Sequence, residues 1–162
     1  MTSAVSWSRE ERALFNPAFT GLVCARVVQG HAVKHTPACP LPIVVTAAVM
    51  AFQPAVRELL PGSTAASMTK WAEDNEAVKV HMAANVPGLT DVVRPGLLFA
   101  LQTGVLTLES SALSLTGRSI PASITGSSPE TVAIQKAAHM LGRWLPTAGT
   151  TATALTLLGV RP

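Results

Sequence analysis

Residues 15–31 read FNPAFTGLVCARVVQGH, and how this stretch packs decides the fold. Pro17 suits the first position of a helix, and Gly30 a stop, so the pattern predicts a helix from Pro17 to about Gly30. At 100° per residue, Arg26 shares a face with Phe19, Leu22 and Val23, while Cys24 and Val28 point the opposite way. An ordinary surface helix keeps one polar side. This one has none, so it must be covered from more than one direction. The expectation is a core on one side and a second chain on the other.

Composition supports covered surfaces. Of 162 residues, 48% are hydrophobic and 13% charged, against about 25% charged in soluble domains. A surface so poor in charge invites association unless a partner shields it. A membrane is the rival explanation. The most apolar run, IVVTAAVMAF at 43–52, has ten residues, whereas a spanning helix needs about 20. The N-terminal MTSAVSWSREER turns charged without a signal-peptide core. A cytoplasmic protein with no membrane contact is expected. The net charge of +3 comes from scattered cations, no two adjacent, so the chain alone should bind nucleic acid weakly. Two cysteines give no disulfide framework. Cys24 reads as a small buried hydrophobe, and Cys39 lies in a Pro-rich loop.

The remaining chain reads as mainly α, one domain over 1–162. A helical N-terminal part spans 8–86, a helix-hairpin unit 95–117, a linker 118–129, and C-terminal helices 130–158. Ser8 can cap a first short helix with Glu10 and Glu11 in its opening turn. HAVKHTPACPLP at 31–42 reads as a loop, and Ile43–Phe52 as a buried helix. Pro54 opens a short helix that Pro61-Gly62 closes. STAAS at 63–67 caps another with Met68, Trp71 and Ala72 on its apolar edge. Pro87-Gly88 splits the pattern after a turn-rich helix from Glu76 to about Asn85. Pro95 then starts a separate helix that Gly104 ends. VLTLES and ALSLTG at 105–117 alternate like a β-hairpin, so this unit is winged-helix-like. Glu130–Leu145 is amphipathic, with Ile134, Ala137, Ala138, Leu141, Trp144 and Leu145 in one stripe and Lys136, His139 and Arg143 opposite. A Thr-rich helix covers about Thr150–Leu158.

The chemistry-bearing residues favour structure over catalysis. His31, His35 and Cys39 stand four apart, but TPACP breaks the helix between them and no fourth ligand is near, so loop residues are preferred over a metal site. Cys24 on an apolar helix would be an inert thiol. No GxSxG, HExxH or P-loop occurs. Neither a catalytic residue, a cofactor nor a metal is expected. The helix before the hairpin offers bases only Gln102, and Arg118 is the nearest wing cation. A winged-helix DNA-binding regulator is therefore the alternative reading. Arg26 needs an internal partner (Glu10, Glu11, Glu58 or a set of helix C-terminal carbonyls) or a partner's carboxylate. Its two readings are an internal bridge and a docking residue. Trp144 beside Arg143 likewise reads equally as core or as an interface anchor.

Motifs in order carry a resemblance. Asn16-Pro17-Ala18-Phe19, Gly21, Ala25-Arg26 and Gly30 come first. Pro40-Leu41-Pro42 follows, and then Pro54–Pro61 with Arg57. Leu97-Leu98-Phe99-Ala100-Leu101 leads to Gly104 and Leu106. Leu141-Gly142-Arg143-Trp144 and Leu157–Pro162 close the series. The chain thus resembles the small middle component of bacterial three-component ABC-ATPase systems. The resemblance implies a non-enzymatic adaptor between an SMC/Rad50-like ABC ATPase and an effector, in anti-phage or anti-plasmid defence. DNA would be reached only through the complex. Asn16, Phe19, Arg26, Arg143, Trp144 and Arg161 are the expected docking residues.

Overall fold

Asn16 and Pro17 start the central helix. The Asn16 side chain accepts from the Ala18 amide at 2.8 Å, and Pro17 needs no partner at the first position. The computed structural model describes residues 8–117 and 120–161. Expectations resting on residues 1–7, on Arg118 and Ser119, or on Pro162 lie outside the described residues. Helix α1 is Arg9–Leu14, closed at its start by a Ser8–Glu11 capping box. The central helix α2 is Pro17–Lys34. It passes the expected stop at Gly30 because no proline interrupts it before Pro37. The expected 31–42 loop shrinks accordingly: Cys39–Pro40 form β1, and α3 is Leu41–Ala51.

Three helices of the same chain cover α2. These are α3, α6 (Ala77–Gln102) and α7 (Pro129–Trp144). Two glycine crossings set the distances. A methyl on Gly21 would lie 2.7 Å from the Gly96 carbonyl oxygen, and one on Gly96 would overlap Thr20. On another side, a methyl on Gly30 would overlap the His139 carbonyl, and one on Gly142 the Val27 carbonyl. Cβ-free positions let both backbones approach. Val23, Cys24, Val27 and Val28 are fully buried although they point in opposing directions. The apolar character of α2 therefore comes from a central place in its own fold. The expected second chain is not needed to cover it.

The other corrections have local causes. Residues 77–102 form one helix, not two, with Pro87 and Pro95 inside it. An internal proline removes a donor and crowds the carbonyl four residues earlier. Pro87, Pro95 and the freed carbonyl residues Ala83 and Asp91 are all exposed, so water reaches the unpaired groups. Gly104 does end the helix, with φ +76°. β2 (Leu106–Glu109) and β3 (Ala112–Leu115) form the expected hairpin, and Ser110 and Ser111 both adopt positive φ at its turn. β1 extends it to a three-stranded antiparallel sheet in the order β1-β3-β2, pairing Cys39 with Leu113 and Pro40 with Ala112.

The short helices α4 (Pro54–Arg57) and α5 (Met68–Asp74) start where expected, but α4 ends at Arg57, short of the expected stop at Pro61-Gly62. Ser128 caps α7, whose predicted stripe from Ile134 to Leu145 is buried throughout. A 3-10 turn at Leu145–Ala148 leads to α8 (Thr151–Leu157), capped by Thr150. The fold is mainly α. No helix among the described residues is long and apolar enough to cross a membrane.

Candidate functional site

Arg26 lies inside the molecule, 3% exposed. Its Nε donates to Gln135 Oε1 at 3.0 Å. Nη1 donates to Gln29 Oε1 at 2.9 Å and to the Pro121 carbonyl, and Nη2 to the Ser123 carbonyl at 3.4 Å. Gln135, itself 1% exposed, donates to the Thr125 carbonyl at 2.9 Å. No carboxylate bridges Arg26 among the described residues. Burial alone pushes its pKa below the usual value. The partners are therefore neither Glu10, Glu11 nor Glu58, nor helix-end carbonyls. They are two amide side chains and the carbonyls of the segment after the hairpin. A side chain so enclosed has no surface to offer a partner in this conformation.

Trp144 is likewise core. Its indole donates to the Ala66 carbonyl at 2.9 Å, and its ring meets Trp71 edge-on with centroids 5.0 Å apart. Asn16 is exposed but spends its side-chain oxygen on the α2 cap. Phe19 is half-buried, edge-on to Phe52. Arg143 is half-buried, and its Nε has no hydrogen-bond partner among the described residues. Arg161 is exposed at the rim of a groove of about 280 Å³ between α3, α6 and α8. Phe19 lines a different depression, beside α1 and the start of α7. The six predicted residues are not brought to one place.

His31 and His35 are engaged locally. His31 Nδ1 lies 2.7 Å from the Thr36 carbonyl and His35 Nε2 2.9 Å from the Arg143 carbonyl. Among the described residues no group of three or more His, Cys, Asp or Glu is placed to hold a metal ion. Burial pushes the Cys24 and Cys39 thiols up to about 12, leaving both protonated and unreactive.

The surface feature with a shape is apolar. The LLFAL run ends α6, and a helix cannot turn five consecutive residues to the core. Leu98 is 52% exposed and Phe99 40% exposed. Phe99 also lines a groove of about 200 Å³ with Ala18, Leu22, Thr103, Val105 and Ile120. The start of α2, the end of α6 and the segment after the hairpin thus form its walls. The predicted docking set omitted Leu98 and Phe99. Their signal was the length of the apolar run, which exceeds one helical face.

A family model described as the ABC-three component (ABC-3C) system Middle Component 3 matches residues 5–162. No curated protein and no solved structure matches the chain.

Proposed function

The chain belongs to the Middle Component 3 family of ABC-three component systems, and we propose that it serves there as a non-enzymatic adaptor. It would join an SMC/Rad50-like ABC ATPase to an effector in anti-phage or anti-plasmid defence. The supporting observation is the half-exposed Leu98–Phe99 pair beside an apolar groove. Single exposed hydrophobes are common, but two in succession, of which Phe99 lines an apolar depression, suit a protein contact. The occupant we assign is an apolar segment of the ATPase subunit. Of the residues singled out in the sequence, Phe19 and Arg161 are open to direct contact. Arg26 and Trp144 would act by holding the scaffold.

Co-expression with an ABC ATPase subunit of the same three-component system, followed by affinity capture, tests the reading. Phe99→Asp and Leu98→Asp should each weaken capture while leaving the helical circular dichroism unchanged. Capture by both variants at the parent level would remove the groove from the contact. No capture of the parent chain would remove the adaptor role. The alternative, a winged-helix DNA-binding regulator, has the α6–hairpin succession in its favour, but the part of α6 next to the hairpin, Pro95–Gln102, offers only Gln102 to read bases. Tight duplex binding by the purified chain, falling steeply with salt, would favour it.

A further inference from the structure

We infer that residues 120–125 form a releasable strap, fastened by Arg26, Gln29 and Gln135, whose opening enlarges the groove beside Phe99. Apart from Ile120, which packs against the core, the strap has little anchorage of its own. Pro121, Ala122, Ser123 and Thr125 are exposed, and Ile120 and Ile124 only half-buried. The segment has no helix or strand, and no hydrogen bond from a backbone N–H of 120–125 is found among the described residues. What holds it is donated from α2 and α7 to its carbonyls. Arg26 reaches Pro121 and Ser123, Gln29 Nε2 reaches Pro121 at 3.4 Å, and Gln135 reaches Thr125.

The fastener is unusual in its charge. A guanidinium buried without a carboxylate depends on neutral acceptors. A lysine cannot replace it, because one ammonium cannot follow the planar fork that reaches Gln135, Gln29, Pro121 and Ser123 together. Ile120 is the link to the groove. It forms one wall, and the next residue is the first that Arg26 grips. Releasing the carbonyls of 121, 123 and 125 frees that wall while α2 and α6 stay joined through Gly21 and Gly96.

Paired nitroxide labels on the full chain test this. Both native cysteines are buried, so labels go to Ala122→Cys on the strap and Lys136→Cys on α7, both exposed positions. A control pair uses Lys79→Cys with Lys136→Cys. The parent should give one narrow strap distance. Arg26→Lys should raise the population of longer distances at least about tenfold, the effect of losing one charge-assisted hydrogen bond, and Gln135→Glu, which loses a neutral amide-to-carbonyl bond to Thr125, should raise it about threefold or more. Gln135→Glu keeps the acceptor for Arg26 Nε and removes the donor that reaches the Thr125 carbonyl and, at 3.3 Å, the Thr131 carbonyl within α7, so it separates loss of this fastener from loss of the guanidinium. The control distances should not change. Superimposable strap distances in both variants, or equal broadening of the control pair, would overturn the strap. An environment-sensitive apolar dye reads the groove. Its binding should rise in Arg26→Lys and not in Arg26→Lys with Phe99→Asp. A rise indifferent to Phe99, or no rise, would overturn the link to the groove. The groove's role in docking belongs to the proposed function. Strap release is read on the isolated chain, so the two fail separately.

Discussion

His31 and His139 show what the interior of this molecule does to a charge. His31 is 4% exposed. Burial lowers its pKa from 6.5, the bond to the Thr36 carbonyl opposes that, and neighbouring His35 lowers it further. His139 is lowered by burial and then by the cations Arg143 and Arg26. The folded chain therefore favours neutral imidazoles, and the unfolded chain takes up protons first. Their contribution to stability is complete above the ordinary value of 6.5 and is lost as pH falls below it toward the depressed folded values. The melting temperature should drop between about pH 7.5 and about pH 5.5, and His139→Gln should flatten part of that slope. An unchanged slope in His139→Gln would mean that His139 is not among the groups responsible. The two thiols give a second residue-scale expectation. With pKa values near 12 and no exposure, Cys24 and Cys39 should not react with a chromogenic disulfide at about pH 8 until the chain is denatured. Rapid labelling of the native protein would contradict the burial.

Among the elements, α2 is decided by its glycines. Gly30 and Gly142 let the carbonyls of His139 and Val27 come where a methyl would stand. Gly142→Ala must force α2 and α7 apart, so it should cost about 2–3 kcal/mol in urea unfolding. Gly88 is the contrasting case. It sits on the exposed middle of α6 with nothing within 4 Å of an added Cβ, and Gly88→Ala should gain about 0.5–1 kcal/mol. Equal effects of the two substitutions would refute the crossing. Element boundaries were legible wherever a cap or a period marked them. Ser8 and Ser67 each accept the predicted cap bond, Ser128 and Thr150 do the same at helix starts for which no cap was predicted, and the buried stripe of α7 follows its 3.6-residue period. Pro87 and Pro95 misled because a helix can continue through a proline where the freed carbonyl reaches water and packing elsewhere along the helix offsets the lost bond and the crowding. That depends on which side faces out, and local sequence does not say. β1 was missed because two residues, Cys39 and Pro40, carry no period at all.

At the scale of the whole molecule, the shortage of charge has two consequences. Much of the apolar content goes into a core in which α2 is enclosed by α3, α6 and α7. Part of the remainder surfaces singly, at Val33, Val80 and Leu108, and part in succession at Leu98 and Phe99, where the end of α6 has more apolar residues than it can bury. An aspartate at Phe99 would place in the groove a carboxylate that the ATPase segment proposed above would have to desolvate. Its capture should fall at least about tenfold, as for truncation of an interface anchor. The amino-acid sequence by itself determined the helical class, the caps, the hairpin, the burial of the α7 stripe and the family resemblance. Each of these rests on spacing along one stretch of chain or on short motifs in order. Only the tertiary structure decided what meets Arg26, because apart from Gln29 its acceptors stand 95 to 109 residues away along the chain. Backbone carbonyls have no residue identity by which a sequence could announce them. The same holds for the groove, whose walls come from three separate segments and exist only once α2 and α6 have crossed at Gly21 and Gly96.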